Sequence, residues 1–382
     1  MYNIKTLNNI SEIGMSRFNE NYKYGDNIEN PDAIMVRSFK MHDMEIPKSV
    51  RAIARAGAGV NNIPIDKCSE QGIVVFNTPG ANANAVKELV IAGILMSSRK
   101  IVEGVNWAST LTGDADMEKT VEKGKSQFVG PEIIGKKLGV IGLGAIGVMV
   151  CNAAHGLGMD VIGYDPYISV DAAWSLSRAV HKASSIKEIY EQCDYITIHV
   201  PLNDETKNTI NAETIAEMKD GVRILNFARG GLVNSEDILA AIESGKVAKY
   251  VTDFPDADMI NKENVIAIPH LGASTPESED NCAVMAANEL IDFLENGNIV
   301  NSVNMPKCVM ERSTDVRICI VHKNIPNMIS QISKYFADKN VNIENMINKS
   351  RGEYAYTIVD VDHEMNEDDI YFEGLLSARV IK

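Results

Sequence analysis

The sequence predicts an α/β protein with two doubly wound, Rossmann-like parallel sheets, followed by a small ferredoxin-like α+β domain. Over residues 1–300, strand-like and helix-like segments alternate, and several strands are continuous apolar runs of the kind found in parallel strands covered on both faces. Residues 314–382 instead follow the order strand, helix, strand, strand, helix, strand, which is typical of the ferredoxin-like fold. With 382 residues, the chain is long enough for two or three domains.

The apolar runs place the elements of the two sheets in order along the chain. A long helix at 84–101 would lead from the first sheet to the second, and a helix at 276–296 would lead back. We therefore expect a discontinuous substrate-binding domain (1–96 and 282–305) that encloses a nucleotide-binding domain (97–281). The predicted strands of these two domains are 33–36, 52–56, 74–77, 138–142, 161–164, 195–200, 222–227, 249–253 and 265–269.

The C-terminal segment has elements of its own. Residues 299–313 show no clear periodicity and contain Pro306, so they predict a linker. A separate domain is expected to span 314–382. Its predicted strands are 316–321, 341–348, 354–361 and 378–381, and its predicted helices are 326–339 and 367–375.

Residues 137–147, KLGVIGLGAIG, combine a short apolar strand with a Gly-x-Gly-x-x-Gly turn and the start of a helix. In a dinucleotide-binding unit, Gly142 would permit the tight turn, Gly144 would let the backbone approach a pyrophosphate, and Gly147 would let helix and strand pack closely. A second apolar strand ends in Asp165. An acidic side chain there favours the ribose hydroxyls of NAD over the 2′-phosphate of NADP, so we predict an NAD site.

Charge and composition exclude several classes of partner. The net charge of −15 disfavours nucleic acids and anionic membrane surfaces. The six cysteines lack a metal-binding spacing, so we predict no metal site and expect free thiols in a reducing cytoplasm. The first residues lack the apolar core of a signal peptide, and charges interrupt the most apolar helix, at 83–101. We expect a cytoplasmic protein without a membrane segment.

Two strand ends carry side chains suited to hydride-transfer chemistry. Arg229 follows one predicted strand and could grip a carboxylate through two parallel hydrogen bonds. His270 follows another, and an imidazole can exchange a hydroxyl proton near neutral pH. A carboxylate beside that imidazole would stabilise its charged form. The acidic residues that follow the neighbouring strand are Asp253, Asp256 and Asp258.

Six motifs along nearly the whole chain resemble those of the D-isomer-specific 2-hydroxyacid dehydrogenases. They are Arg55-Ala-Gly-Ala-Gly-Val-Asn61, Asn77-Thr-Pro-Gly-Ala-Asn82, the 142–147 turn, His199-Val-Pro-Leu202, Asn226-Phe-Ala-Arg-Gly230 and Pro269-His-Leu-Gly-Ala273. The resemblance implies a catalytic set of Arg229, an acidic residue and His270. Asp258 stands at the spacing where relatives have glutamate, with Asp256 as the alternative.

The resemblance also implies binding residues by position. Gly57 and Gly59 would offer backbone N–H groups to a substrate carboxylate, Asn82 would contact the substrate, and Arg37 and Arg55 would bind a substrate phosphate. The residues implied for the cofactor, which would be NAD, are Ala58, Gly142, Gly144, Ala145, Ile146, Gly147, Asp165, Val200, Pro201, Phe227, Ala228, Asp253, Gly272 and Ala273.

The activity that the resemblance implies is NAD-dependent oxidation of 3-phospho-D-glycerate to 3-phosphohydroxypyruvate, the first step of serine biosynthesis, by a homodimer or homotetramer. Two related activities stay open, on glycerate/hydroxypyruvate or on D-lactate. A non-enzymatic NAD-binding corepressor is a further alternative, and the C-terminal domain argues against it.

The C-terminal domain resembles an ACT domain, a small amino-acid-sensing module. By that resemblance His322, Asn324 and Asn342 would bind L-serine as a feedback effector. Asn327 stands where a glycine is usual in this loop, and its side chain would crowd the effector. A domain that only dimerises is therefore the alternative.

Overall fold

The computed structural model describes residues 1–113 and 115–382. They form two compact units, one made of Met1–Asn82 with Pro276–Lys382, the other of Ala83–Thr275. We call them the discontinuous unit and the central unit. The observed boundaries differ from the predicted ones at residues 96 and 281, which lie inside helices, and the C-terminal tail belongs to the discontinuous unit.

The regular elements alternate along most of the chain. The strands are β1 (Tyr2–Leu7), β2 (Tyr22–Gly25), β3 (Ala33–Val36), β4 (Ala52–Arg55), β5 (Val74–Phe76), β6 (Lys137–Ile141), β7 (Asp160–Tyr164), β8 (His181–Lys182), β9 (Tyr195–Ile198), β10 (Val222–Asn226), β11 (Val247–Thr252), β12 (Val265–Ala267), β13 (Val316–Lys323), β14 (Ile343–Arg351), β15 (Tyr354–Val361) and β16 (Leu375–Ile381). The helices are α1 (Glu12–Met15), α2 (Ile65–Glu70), α3 (Ala83–Arg99), α4 (Ile101–Ser109), α5 (Met117–Gly124), α6 (Ala145–Gly156), α7 (Val170–Ser175), α8 (Ile186–Gln192), α9 (Ala212–Ala216), α10 (Ser235–Glu243), α11 (Pro276–Asn296) and α12 (Met328–Asp338).

The discontinuous unit contains a five-stranded parallel sheet in the order β2-β1-β3-β4-β5. Its inner strands are the predicted apolar runs, and all four residues of β3 are buried. The sequence prediction missed β1 and β2. Polar residues such as Asn3 and Lys5 interrupt β1, so no continuous apolar run marks it.

The central unit contains a seven-stranded parallel sheet in the order β12-β11-β10-β9-β6-β7-β8. Chain order runs outward in both directions from the neighbours β6 and β9. This is the switch point at which doubly wound sheets bind ligands beyond the carboxyl ends of their strands. The prediction of two Rossmann-like sheets is confirmed.

The predicted helix at 84–101 is α3 and ends at Arg99, because Lys100 adopts the left-handed conformation at φ 46° and separates α3 from α4. α3 belongs to the central unit. At Gly93 an added Cβ atom would lie 3.0 Å from the side chains of Leu225 and Phe227, so this helix packs directly on β10. That close packing explains why the boundary between the units comes before α3.

The C-terminal tail forms an antiparallel sheet in the order β14-β15-β13-β16, which is the ferredoxin-like strand order. The predicted helix at 367–375 is wrong. A single 3₁₀ turn, Glu367–Asp369, stands there, and β16 already begins at Leu375. Ile370 and Phe372 are both buried and alternate with exposed residues, which suits extended chain and not a helix.

Arg317 forms a buried ion pair within this tail and also bonds the tail to α11. Arg317 donates to both carboxylate oxygens of Asp360, at 2.7 and 3.0 Å, and its third nitrogen donates to the backbone oxygens of Asn296 and Met310 at 2.8 Å. The predicted linker at 299–313 contains no helix or strand element, but the backbone groups of Ile299 and Cys308 form two hydrogen bonds with each other. The tail is thus packed into the discontinuous unit.

All six cysteines are buried free thiols. In residues 1–113 and 115–382, no helix is both long enough and apolar enough to cross a membrane, and no cluster of three or more His, Cys, Asp or Glu side chains could hold a metal ion.

Candidate active site

The turn after β6 is shaped by its glycines. Gly142 has φ +94°, and an added Cβ atom would lie 2.6 Å from the backbone oxygen of His199. At Gly147 an added Cβ atom would lie 1.9 Å from the oxygen of Gly142. Backbone atoms therefore occupy the space of a side chain at both positions, so only glycine fits the turn.

The same turn leaves room and hydrogen-bond donors for an anion. Gly144 precedes the first residue of α6, and within the described chain no atom lies within 4 Å of where its Cβ atom would be. In these residues the backbone N–H groups of Gly144, Ala145 and Ile146 also have no hydrogen-bond partner. Free N–H groups at the positive end of a helix of twelve residues suit a pyrophosphate.

Asp165 follows β7 directly and is half-buried. One carboxylate oxygen accepts the N–H of Leu143 at 2.8 Å, and the other accepts the N–H of Tyr167 at 2.8 Å. These bonds fix the carboxylate beside the glycine turn. Each oxygen has a further lone pair, so Asp165 can still accept hydrogen bonds from a ribose diol.

The remaining predicted cofactor residues divide between the two units. Most follow the carboxyl ends of parallel strands of the central sheet: Val200 and Pro201 after β9, Phe227 and Ala228 after β10, Asp253 after β11, and Gly272 and Ala273 after β12. The exception is Ala58, which belongs to the discontinuous unit.

Asp253 is a buried carboxylate with one oxygen unpaired. Its Oδ2 accepts the N–H of Gly272 at 3.1 Å, while Oδ1 has no partner among the described residues. Burial raises the pKa of Asp253, and the Gly272 N–H and the positive charges of His270 and Arg229 act against that rise. A buried unpaired oxygen is costly unless a donor reaches it, so this atom is suited to accept from an amide of a bound cofactor.

Arg229 and His270 lie against one aromatic ring. The centroid of the Phe254 ring is 4.4 Å from that of His270, and the guanidinium carbon of Arg229 is 5.9 Å from the Phe254 centroid. Both polar side chains are exposed at the carboxyl edge of the sheet. The structure thus brings together Arg229 and His270, two of the three residues for which the sequence predicted a catalytic role.

The predicted pairing of His270 with an aspartate is absent. Asp258 lies in the 3₁₀ turn Ala257–Met259, where buried Met259 anchors the turn and leaves Asp258 exposed. Asp256 caps the same turn, since its Oδ1 accepts the N–H groups of Asp258 and Met259 at 3.1 and 3.2 Å. Neither carboxylate pairs with the imidazole of His270, because the turn exposes that of Asp258 to solvent and uses that of Asp256 as its cap.

Sequence reasoning missed Phe254. Nothing in the pattern Thr252-Asp-Phe-Pro255 distinguishes it from an ordinary core aromatic. Only its place directly after a strand, next to a predicted cofactor residue, could have marked it as part of the site.

The predicted substrate residues lie in the discontinuous unit. In the loop after β4, the N–H groups of Ala58, Gly59 and Val60 have no hydrogen-bond partner in the described part of the chain. The guanidinium of Arg55 lies over this loop, since a Cβ atom at Gly57 would be 2.6 Å from its Nη1.

A second arginine, Arg37, is bonded to Arg55. Arg55 donates from Nε to the backbone oxygen of Arg37 at 3.1 Å, and Arg37 forms an ion pair with Glu279 at the start of α11. The loop N–H groups and the guanidinium of Arg55 are suited to an anionic substrate, and the guanidinium of Arg37 is paired with Glu279. Asn82, half-buried, is the last residue before α3.

The three predicted effector residues do not converge within one copy of the chain. His322 is 1% exposed, and its Nε2 lies 2.9 Å from Thr357 Oγ1 and 3.1 Å from Asn348 Oδ1. Asn324 donates to the oxygen of Gly352 at 2.9 Å, at the same end of the sheet. Asn342 precedes β14 at the opposite end, about 20 Å away at ~3.3 Å per residue.

Comparison with known proteins identifies the family. Residues 91–272 match the model of the D-isomer specific 2-hydroxyacid dehydrogenase, NAD binding domain. A putative D-3-phosphoglycerate dehydrogenase of Schizosaccharomyces pombe is 30% identical over 368 residues, which cover 88% of this chain and 74% of that protein. The chain belongs to the D-isomer-specific 2-hydroxyacid dehydrogenase family.

Other members of this family extend the comparison. D-3-phosphoglycerate dehydrogenase of Methanocaldococcus jannaschii is 33% identical over 339 residues, and this chain spans 86% of its own length but only 62% of that relative. The crystal structure of NAD⁺-bound 3-phosphoglycerate dehydrogenase from Entamoeba histolytica superposes with a TM-score of 0.61 at 27% identity, covering 79% of this chain and 98% of that one.

The central unit fits the cofactor of the 2-hydroxyacid dehydrogenase family, NAD. Such a dinucleotide would use four features of this structure: the space beside Gly144, the free N–H groups at the start of α6, the oriented carboxylate of Asp165 and the unpaired Oδ1 of Asp253.

Proposed function

We propose that this chain oxidises 3-phospho-D-glycerate to 3-phosphohydroxypyruvate with NAD, the first step of serine biosynthesis. The observation that supports this most is the placement of Arg229 and His270 against Phe254, beside the carboxylate of Asp253, at the edge of the sheet that carries the dinucleotide turn. Curated relatives that match the chain carry the name of this activity.

His270 accepts the proton of the substrate hydroxyl in this proposal. Its imidazole is exposed at the sheet edge and makes no internal hydrogen bond in the described chain, so both ring nitrogens are accessible to a substrate. Arg229 holds the substrate carboxylate and the oxygen of the developing carbonyl. Its Nη1 bonds to the backbone oxygen of Ala228 at 2.6 Å, which leaves other N–H donors of the guanidinium for the substrate.

Bound NAD would supply the acceptor for the hydride that leaves the hydroxyl carbon. Asp253 would orient the nicotinamide amide through its unpaired Oδ1, because a buried acceptor gains most from a donor placed against it. Gly144, Ala145 and Ile146 would hold the pyrophosphate through their free N–H groups.

A phosphorylated substrate is favoured over glycerate/hydroxypyruvate or D-lactate by the two arginines of the discontinuous unit. The guanidinium of Arg55 lies over the loop at 57–60, and Arg55 is bonded to the backbone oxygen of Arg37. Gly59 and its neighbours Ala58 and Val60 supply free backbone N–H groups in the described chain, whereas the N–H of Gly57 is bonded to the backbone oxygen of Arg55 at 2.8 Å, which corrects the expectation for that residue. Guanidinium groups bind phosphate and carboxylate through paired hydrogen bonds. We assign the phosphate to the arginines, and further substrate contacts to the loop N–H groups and to Asn82.

A panel assay tests the proposal. The purified chain is mixed with NAD and, in separate reactions, with 3-phospho-D-glycerate, D-glycerate or D-lactate, and NADH formation is followed by absorbance. We expect kcat/KM for the phosphorylated acid to exceed that for D-glycerate by about 100-fold, since two charge-assisted contacts are each worth roughly tenfold. Equal values would favour a non-phosphorylated substrate, and NAD binding without turnover would favour a corepressor.

We propose that L-serine inhibits the enzyme through a pair of C-terminal domains in a homodimer or homotetramer. A pair is needed because His322 and Asn324 lie at one end of the sheet and Asn342 at the other. Adding L-serine to the panel assay, with mass measurement by light scattering, tests this. Inhibition that is lost in Asn342→Ala supports it, whereas an oligomer insensitive to L-serine shows a domain that only dimerises.

A further inference from the structure

The imidazole of His270 has no polar side chain in the described chain that would fix its orientation. The imidazole is exposed, and in the described part of the chain it makes no hydrogen bond or ion pair. Asp256 caps its own turn and Asp258 is exposed. Asp253 bonds to the N–H of Gly272 and interacts with His270 through its charge only, without a hydrogen bond. An exposed imidazole that no partner holds would sample several rotamers, which is unsuited to proton transfer at one fixed position.

The side chain in contact with it is Phe254. The two rings lie 4.4 Å apart at an interplanar angle of 46°, a distance at which aromatic rings attract each other and restrict each other's rotation. Phe254 is itself half-buried and follows Asp253, whose carboxylate is fixed to Gly272. The ring is therefore attached to a rigid part of the sheet edge.

The same ring also contacts Arg229. The guanidinium carbon lies 5.9 Å from the Phe254 centroid, within the range of a cation–π interaction. Apart from this contact, the guanidinium bonds only to its own neighbour's backbone oxygen, that of Ala228, in the described chain. One ring thus restricts two side chains that must reach the same substrate.

We propose that Phe254 is a positioning residue for the reaction: its ring holds His270 and Arg229 in a fixed relation to each other. The inference rests on the proposed function. It predicts that an aromatic ring at this position is required for catalysis, although Phe254 itself exchanges no proton.

The test compares three variants with the wild-type enzyme. Phe254→Leu keeps apolar bulk without a ring, Phe254→Tyr keeps the ring, and Phe128→Leu removes a half-buried aromatic elsewhere in the central unit, where it packs on Trp107. We expect kcat for 3-phospho-D-glycerate to fall roughly 10- to 100-fold in Phe254→Leu, as for a small misplacement of reacting groups. It should stay within about threefold of wild type in Phe254→Tyr and Phe128→Leu, with the Kd for NADH unchanged in all three.

A second measurement does not depend on turnover. In histidine-labelled protein, the ring of Phe254 should displace the carbon-bound proton signals of His270, which His270→Gln identifies by their loss. Those signals should move in Phe254→Leu and keep their positions in Phe128→Leu. Unmoved signals, or a kcat in Phe254→Leu equal to that of wild type, would overturn the positioning role while leaving the proposed function intact. Absence of turnover by the wild type, with NAD bound, would instead overturn the proposed function and the catalytic role of Phe254 with it.

Discussion

The two units each place a glycine-rich turn after a parallel strand, and the two turns offer different kinds of group to an anion. In the central unit, the turn at 142–147 leads at once into α6, and the free N–H groups belong to the start of that helix. In the discontinuous unit, the loop at 57–60 leads into no helix before Ile65, and the guanidinium of Arg55 lies over it. The first turn relies on backbone geometry and a helix dipole, the second on side-chain charge.

This difference has a consequence for mutation. An anion site made by backbone geometry should be lost when a substitution adds volume but not when it removes a charge. An anion site made by charged side chains should be lost when the charge is removed but should tolerate added volume. Substitutions in the two turns can therefore separate them, starting with the largest expected effect.

Gly147→Ala should abolish NADH binding. Its Cβ atom would meet the backbone oxygen of Gly142 at 1.9 Å, so α6 would have to move away from the turn. Gly156→Ala, at the other end of α6, is the matched control, because in the described chain nothing lies within 4 Å of that site. Fluorescence titration with NADH, supported by the thermal midpoint, gives the result. Normal binding by Gly147→Ala would show that the turn does not depend on close helix packing.

His270→Gln should reduce kcat by about 10²–10⁴-fold, the usual contribution of a general base, without changing the Kd for NADH. The exposed His181, in the same unit, gives the control His181→Gln, which should behave like wild type. Turnover is measured as NADH formation from 3-phospho-D-glycerate. An unchanged kcat would mean that another group accepts the proton.

Arg55→Ala and Arg37→Ala should raise KM for 3-phospho-D-glycerate by about 10- to 100-fold each, since a hydrogen bond to a charged group is worth roughly 1.5–3 kcal/mol. KM for D-glycerate should change little, because that acid has no phosphate. Lys48→Ala removes an exposed charge from the same unit and serves as control. If the phosphorylated and the plain acid lost affinity equally, the arginines would be binding the carboxylate instead.

The smallest expected effect is on the pH dependence of folding stability, which has opposite signs in the two units. The backbone oxygen of His199 lies at the 142–147 turn, and burial lowers the pKa of its imidazole to about 4. As pH drops, this histidine therefore takes up a proton in the unfolded chain before it does so in the folded protein. Stability falls as pH drops from 6.5 to about 4. Burial raises the pKa of Glu289, in α11, from 4.5 to about 8, so the unfolded chain loses its proton first and stability falls as pH rises through that range.

Thermal midpoints measured across pH 4–9 test both signs. His199→Asn should flatten the acid side of the profile, and Glu289→Gln should flatten the neutral-to-alkaline side. Glu311→Gln, an exposed carboxylate in the discontinuous unit, should leave the profile unchanged. A Glu289→Gln profile parallel to that of wild type would show that this carboxyl is ionised in the folded protein.

The sequence predicted much of the fold because parallel strands are continuous apolar runs, and the glycine spacing at 142–147 is dictated by backbone contacts that tolerate nothing else. It failed where those signals are missing. β1 carries polar residues, and Ile370 and Phe372 suit either a helix or extended chain until their neighbours are known.

In the site, Arg229 and His270 were predictable because both follow strands whose carboxyl ends share one edge. The partner of His270 was not. An acidic residue at the family's spacing predicted an ion pair, but Asp258 is directed outward by the burial of Met259, and spacing along the chain contains no information about that turn.

A crystal structure with bound NAD tests the account most directly. We predict the pyrophosphate on the N–H groups of Gly144–Ile146, the nicotinamide amide on Asp253, and the nicotinamide ring at the edge where Phe254 holds His270 and Arg229. A dinucleotide whose pyrophosphate lies on the loop at 57–60, or whose nicotinamide lies away from Asp253, would contradict it.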